Sequence, residues 1–169
     1  VVPAGVTVTD MRWLDLEYIA FNMREIDRRE IYGNLPDDNP LHLAALLMNA
    51  VAKKGVAWIA KYEGLPAAWL AFFEQWPGNW QVSLGGTEHV PKVLLALKSK
   101  VADGFRFARE HGAHRVECRN IASHREAEAL VRCLGAEKEG VLRKYGRDGS
   151  DYHQWSWTGH RLILASDAR

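Results

Sequence analysis

Residues 88–112, EHVPKVLLALKSKVADGFRFAREHG, limit the fold of this chain more than any other stretch. Val90, Val93, Leu94, Leu97, Val101, Phe105 and Ala108 share one face of a helix, while Lys92, Lys98, Lys100, Arg106, Arg109 and Glu110 lie mainly elsewhere. An apolar stripe of that length predicts a helix lying across a sheet. Strand-like residues flank it, Trp80 to Leu84 before and His114 to Ile121 after. Two strands joined through such a helix can run parallel by a right-handed crossover.

The segment before Trp80 has a different period. Val56 to Tyr62 and Pro66 to Gln75 read as strands, with tight turns at Glu63-Gly64 and Pro77-Gly78-Asn79. Short turns between strands predict an antiparallel meander. Further upstream, GVTVTD alternates as a short strand, and Trp13 to Ile31 follows a helical period that Asp10 is placed to cap. Asn39-Pro40 is the expected cap and first residue of a helix that Gly55 ends. Downstream, Ser123 is placed to cap a helix over Arg125 to Leu134, and Ala136 to Tyr145 with Tyr152 to Trp157 read as a hairpin around GRDGSD. The expectation is an α/β (α+β) domain with a mixed central sheet flanked by helices. It spans residues 1–157, and 158–169 form a weakly patterned C-terminal tail.

Composition excludes several classes. A net charge of +1 and interleaved acids and bases, as in REIDRRE, give no footprint for nucleic acid. No apolar run reaches the length of a transmembrane segment, and the N-terminus lacks the order of a signal peptide. The seven histidines are scattered without metal-site spacing, so no metal is expected. Cys118 and Cys133 read as small buried hydrophobes. The pairs Trp76/Trp80 and Trp155/Trp157 read as core and cross-strand packing, with a partner patch as the alternative.

The element order, together with SHREAEALVRCLGAEKEGVLRKYGRDGSDYHQWSW (Ser123–Trp157), resembles the GNAT superfamily of N-acetyltransferases. Leu134-Gly135-Ala136 stands where that family has Leu-Gly-Phe, and Glu139-Gly140 and Arg143 follow at suitable spacing. The resemblance implies a GNAT-like acyl-CoA N-acyltransferase fold. It also implies an acetyl-CoA site at the start of the long helix, where backbone N–H groups and glycines hold a pyrophosphate. Counting from Gly112 puts Lys92 at the family's Arg/Gln position and Leu95 and Leu97 at its glycines, with Val93 between. His124 falls at the family's pantetheine-contacting Asn, and Val131 at the Tyr that protonates the departing thiolate. The candidate cofactor-binding residues are therefore Lys92, Val93, Leu95, Leu97 and His124. No catalytic residue is assigned; Glu74 and Glu88 are the nearest sequence candidates for a base. Gly85, Gly86 and Thr87 offer a different nest, ahead of the expected site.

The opening MRWLDLEYIAFNMREIDRREI and the ending LGAEKEGVLRKYG are also similar to GNAT-like virion-associated proteins of short-tailed bacteriophages. That narrower resemblance implies a particle or assembly protein with a degenerate acetyl-CoA site, no cofactor, other virion proteins as partners, and a location in the virion or host cytoplasm. The alternative is an active acetyl-CoA-dependent N-acetyltransferase of a bacterial cytoplasm, acting on a small-molecule or protein amine.

Overall fold

The computed structural model describes residues 3–167. In chain order, β1 (Val6–Asp10) is followed by α1 (Trp13–Phe21), α2 (Glu25–Tyr32) and α3 (Pro40–Lys54). A meander of β2 (Gly55–Tyr62), β3 (Leu65–Trp76) and β4 (Asn79–Gly86) leads into α4 (Val90–Glu110). Then come β5 (Arg115–Ile121), α5 (Arg125–Cys133), β6 (Glu137–Leu142), β7 (Tyr152–Thr158) and α6 (Gly159–Asp167). The strands form one sheet in the order β1-β2-β3-β4-β5-β7-β6. Every neighbouring pair is antiparallel except β4 and β5, which α4 joins in parallel.

Both faces of the sheet are covered, and side-chain alternation along each strand divides the residues between them. On one face Leu16, Ile19, Leu43 and Leu47 from the first helices pack on Ile59, Trp69 and Ala71. On the other, Val93, Leu97 and Phe105 of α4 and Leu162 of α6 pack on Leu70, Phe72, Trp80 and Trp157. Gly104 in mid-α4 is required by this contact: a Cβ there would sit 2.3 Å from the Phe72 ring.

The parallel pair β4–β5 is short. Its register runs only through Asn79↔Arg115, Trp80↔Val116 and Gln81↔Glu117. Beyond Gln81 the two strands part, and α2 spans their far ends. The buried Asp27 carboxylate accepts the Gly86 N–H of β4 at 2.9 Å. One turn later the buried Glu30 carboxylate accepts the Ile121 N–H of β5 at 2.9 Å. The Arg24 N–H closes the arrangement on the Gly86 carbonyl at 3.0 Å. Strand N–H groups without a strand partner are thus satisfied by carboxylates, as burial requires.

Several local expectations change. The first helical stretch is two helices, because Asn22 folds its amide back onto the Tyr18 carbonyl and Met23 turns into the core. Asp10 ends β1 and Arg12 occupies the cap position of α1. Asn39 caps α3 as expected, accepting the Leu41 N–H at 3.0 Å. The N-cap of α5 is His124 rather than Ser123. The stretch after Thr158 forms α6, whose Leu162 and Ala165 are buried beside α4; nine residues with two anchors leave little periodic signal. Cys118 is partly buried in β5, whereas Cys133 is exposed at the end of α5, which has no fully buried residue. Trp80, Trp155 and Trp157 are core residues, while Trp76 is exposed.

Candidate functional site

A cavity of about 960 Å³ fills the split between β4 and β5. Its walls come from both faces of the sheet, so it runs through the sheet rather than lying on it. Leu94, Leu97 and Val101 of α4 with Leu130 and Val131 of α5 line one compartment. Ile31 of α2, Leu43 and Leu47 of α3 and Phe73 of β3 line the other. Val82 and Leu84 of β4 and Cys118 and Asn120 of β5 border the passage between them. The volume lies at the upper end of small-molecule sites, and the apolar walls with few polar groups suit one.

The polar centre of the cavity is a buried pair. His124, only 5% exposed, places Nδ1 3.0 Å from Glu30 Oε2. The same oxygen accepts the Ile121 N–H, so two donors hold the carboxylate. Glu30 being the acceptor places the imidazole proton on Nδ1. The other ring nitrogen, Nε2, is buried without a partner, and His124 borders the cavity. An orphaned, buried imidazole nitrogen in a residue beside a cavity is an unused hydrogen-bond acceptor.

Burial lowers the tendency of His124 to hold a proton, yet the adjoining Glu30 carboxylate outweighs it and raises the imidazole pKa above its usual value. Burial likewise pushes Glu30 above the usual carboxylate range, against the opposing pull of His124 and the Ile121 N–H. The two donors on Oε2 favour the ionised carboxylate, so the pair is best described as Glu30 carboxylate with a histidine of raised basicity. The Cys118 thiol, by contrast, is pushed far up by desolvation, which disfavours its thiolate.

The start of α4 gives a different result. The Val90 N–H bonds back to the Thr87 carbonyl at 3.0 Å, Pro91 has no N–H, and the Lys92 N–H bonds to the His89 carbonyl at 2.9 Å. The first three positions of the helix therefore present no free donor to an anion. Nor do residues 86 and 87 form a nest, since the Gly86 N–H is held by Asp27 and the Thr87 N–H by the Ala67 carbonyl. Gly86 is glycine for packing: a Cβ would lie 2.3 Å from the Ala67 carbonyl oxygen.

Of the five residues selected from the sequence, the structure gathers Leu95, Leu97 and His124 around the cavity. Lys92 points to solvent and Val93 is wholly inside the α4 core. Glu74 is tied to Lys54 and the Gly78 N–H at the β3–β4 turn, and Glu88 is exposed ahead of α4; neither lines the cavity. Glu30 was missed. Its REIDRREI context reads as a solvated helix face, and only its distance from His124 across the fold shows otherwise. Among the described residues no cluster of His, Cys, Asp or Glu could hold a metal ion. Within the same residues no helix is long and apolar enough to cross a membrane.

No protein-family model matches the sequence, and no curated protein sequence matches it. Solved structures do match. The yncA protein of Salmonella typhimurium, solved with its cofactor acetyl-CoA, superposes with a TM-score of 0.69 at 13% identity, over 91% of this chain and 94% of that one. Ard1 from Thermoplasma volcanium gives 0.67 at 12% identity, over 90% and 97%. A GNAT-family acetyltransferase from Streptococcus pneumoniae gives 0.63 at 12%, over 89% and 97%. The fold is that of the GNAT acetyltransferases. In this GNAT fold the split between β4 and β5 is the feature that creates the cavity, and His124 is among the residues that border it.

Proposed function

We propose that this protein transfers an acyl group from an acyl thioester, with acetyl-CoA the leading donor, to an amine. The observation that carries the reading is the buried, unpartnered Nε2 of His124, a residue that borders a cavity crossing a GNAT-type sheet. The residues fit the arm of an acyl thioester through the apolar α4–α5 compartment. They do not fit a pyrophosphate held in the family's usual way, because the N–H groups opening α4 are occupied. A bound thioester supplies the activated carbonyl. The chain supplies a dry passage and a proton carrier: His124 Nε2, kept free as an acceptor by the Nδ1–H···Glu30 bond, takes a proton from the amine and releases it on the thiol side. That replaces the tyrosine for which Val131 offers no proton.

A second reading keeps one specific support. The occupied donors at the start of α4 also suit a phage particle or assembly component that has retained the fold without turnover. One experiment separates the two. Purified protein is mixed with acetyl-CoA or S-acetyl-pantetheine and a panel of primary amines, and amine-dependent release of free thiol is measured. The transfer reading expects release with both donors at rates within about tenfold, because the phosphates add little, and a loss on the order of 10²–10⁴-fold in His124→Ala. No amine-dependent thiol from any pairing, or an undiminished His124→Ala rate, refutes it and leaves the assembly reading.

A further inference from the structure

The compartment on the α3 side describes what the amine is attached to. Ile31, Leu35, Leu43, Leu46, Leu47 and Phe73 supply its walls. The cavity's two buried acids are engaged: Asp27 with Arg24 at 3.0 Å and the Gly86 N–H, and Glu30 with His124 and the Ile121 N–H; Glu126 lies out at the solvent-exposed rim, 3.4 Å from Arg24. The one further charged side chain on this side is a cation, Arg119, itself held by Glu117, Gln154 and Tyr145. A second ammonium entering this compartment would meet apolar side chains, the neutral groups of Asn34, Gln81 and Ser83, or a guanidinium, and no interior carboxylate is free to pair with it. Burying an unpaired charge against such walls is strongly unfavourable. An apolar body gains from the same walls.

We infer that the acceptor is a primary monoamine carried on an apolar chain or ring, and that polyamines and other polycationic amines are excluded. The inference rests on the acyl-transfer reading for the place of the nitrogen, beside His124 Nε2, and deepens it by naming the substrate class. The amine head donates to the orphaned imidazole nitrogen. The body lies between α2 and α3, where Leu46 is 42% exposed at the wall and marks a way in.

Binding tests this without requiring turnover. Butylamine, hexylamine, octylamine and spermidine are titrated calorimetrically into the full chain. Each added methylene is expected to tighten Kd about fourfold while the compartment has room, with spermidine weaker than hexylamine. Leu46→Asp, at a half-exposed position the fold tolerates, removes the chain-length dependence; Leu95→Asp, on the opposite compartment's exposed rim, leaves it intact. A flat series, absence of binding at millimolar amine, spermidine as tight as hexylamine, or loss of the dependence in Leu95→Asp rather than Leu46→Asp overturns the inference. Thiol release measured in the same samples keeps the two readings apart. Chain-length-dependent binding without thiol release removes only the transfer reading, and thiol release without chain-length preference removes only the acceptor class.

Discussion

Replacing Glu30 by glutamine separates a proton-carrying role of His124 from a merely structural one. In the native protein a single oxygen, Glu30 Oε2, receives both the Ile121 N–H at 2.9 Å and His124 Nδ1 at 3.0 Å. Glutamine has nearly the same shape. Its carbonyl oxygen, in the place of Oε2, can keep both the backbone N–H and the Nδ1–H, so the tautomer is retained while the negative charge beside the imidazole is lost. Nε2 remains an acceptor, but a less basic one, because the carboxylate that raised the His124 pKa is gone. Proton-transfer roles are worth on the order of 10²–10⁴-fold in rate, and lowering the carrier's basicity forfeits a part of that. Stability changes far less, because weakening two charge-assisted hydrogen bonds, about 1 kcal/mol, is offset by removing a buried charge. The assay is amine-dependent thiol release from pH 5 to 9, with a urea melt and ¹⁵N NMR of the His124 ring on the same samples. In the native protein the acid limb lies above the ordinary imidazole value of 6.5, since Glu30 raises the His124 pKa. In Glu30→Gln the rate falls and the remaining acid limb moves down, because the carboxylate that raised it is gone. A variant with the native rate and the native limb would refute the reasoning.

Three other outcomes follow from the same structure. The raised folded-state pKa of His124 means that the folded form holds more protons above the ordinary value of 6.5, so stability is full below that pH and declines as pH rises through the folded pKa; Glu30, also raised, acts in the same direction from its ordinary 4.5 upward. Melting temperature measured from pH 6 to 9 should therefore fall, and His124→Gln should flatten the decline. Leu162→Ala should lower unfolding free energy by about 2–4 kcal/mol in urea, because its side chain is 4% exposed between α6 and α4; a loss below about 0.5 kcal/mol would mean that α6 is not part of the core. A thiol reagent should modify Cys133 faster than Cys118 in the native protein, given their exposed and partly buried positions, and equal labelling rates would contradict that difference.

Much of the fold was legible because it rests on period. The stripe from Val90 to Ala108 required a sheet beneath α4, and the β2–β4 meander was marked by its turns. The crossover between β4 and β5 followed from those two readings. What escaped the sequence depends on distance across the fold. The break between α1 and α2 is made by one side chain, Asn22, folding onto a carbonyl within a continuous helical period. Leu95 and Leu97 border the cavity, yet Val93 just before them faces the core, because a helix turns neighbouring residues to different sides. His124 was selected by its offset from Leu134-Gly135, but its importance comes from Glu30, ninety-four residues earlier. The carboxylate's burial is set by α2 docking against the end of β5, and no local pattern carries that information.

The sheet of this protein has a third edge. Besides the outer margins of β1 and β6, the inner flanks of β4 and β5 beyond Gln81 are strand edges facing each other across a gap. Left to themselves, two such flanks would zip together, since each offers what the other lacks. Asp27 and Glu30 prevent it by occupying the N–H groups at Gly86 and Ile121, with α2 acting as a wedge driven in from the end. The same carboxylate that tunes the imidazole therefore also helps to keep the doorway open, and a chain that lost α2 would be expected to heal its sheet and close over its own cavity.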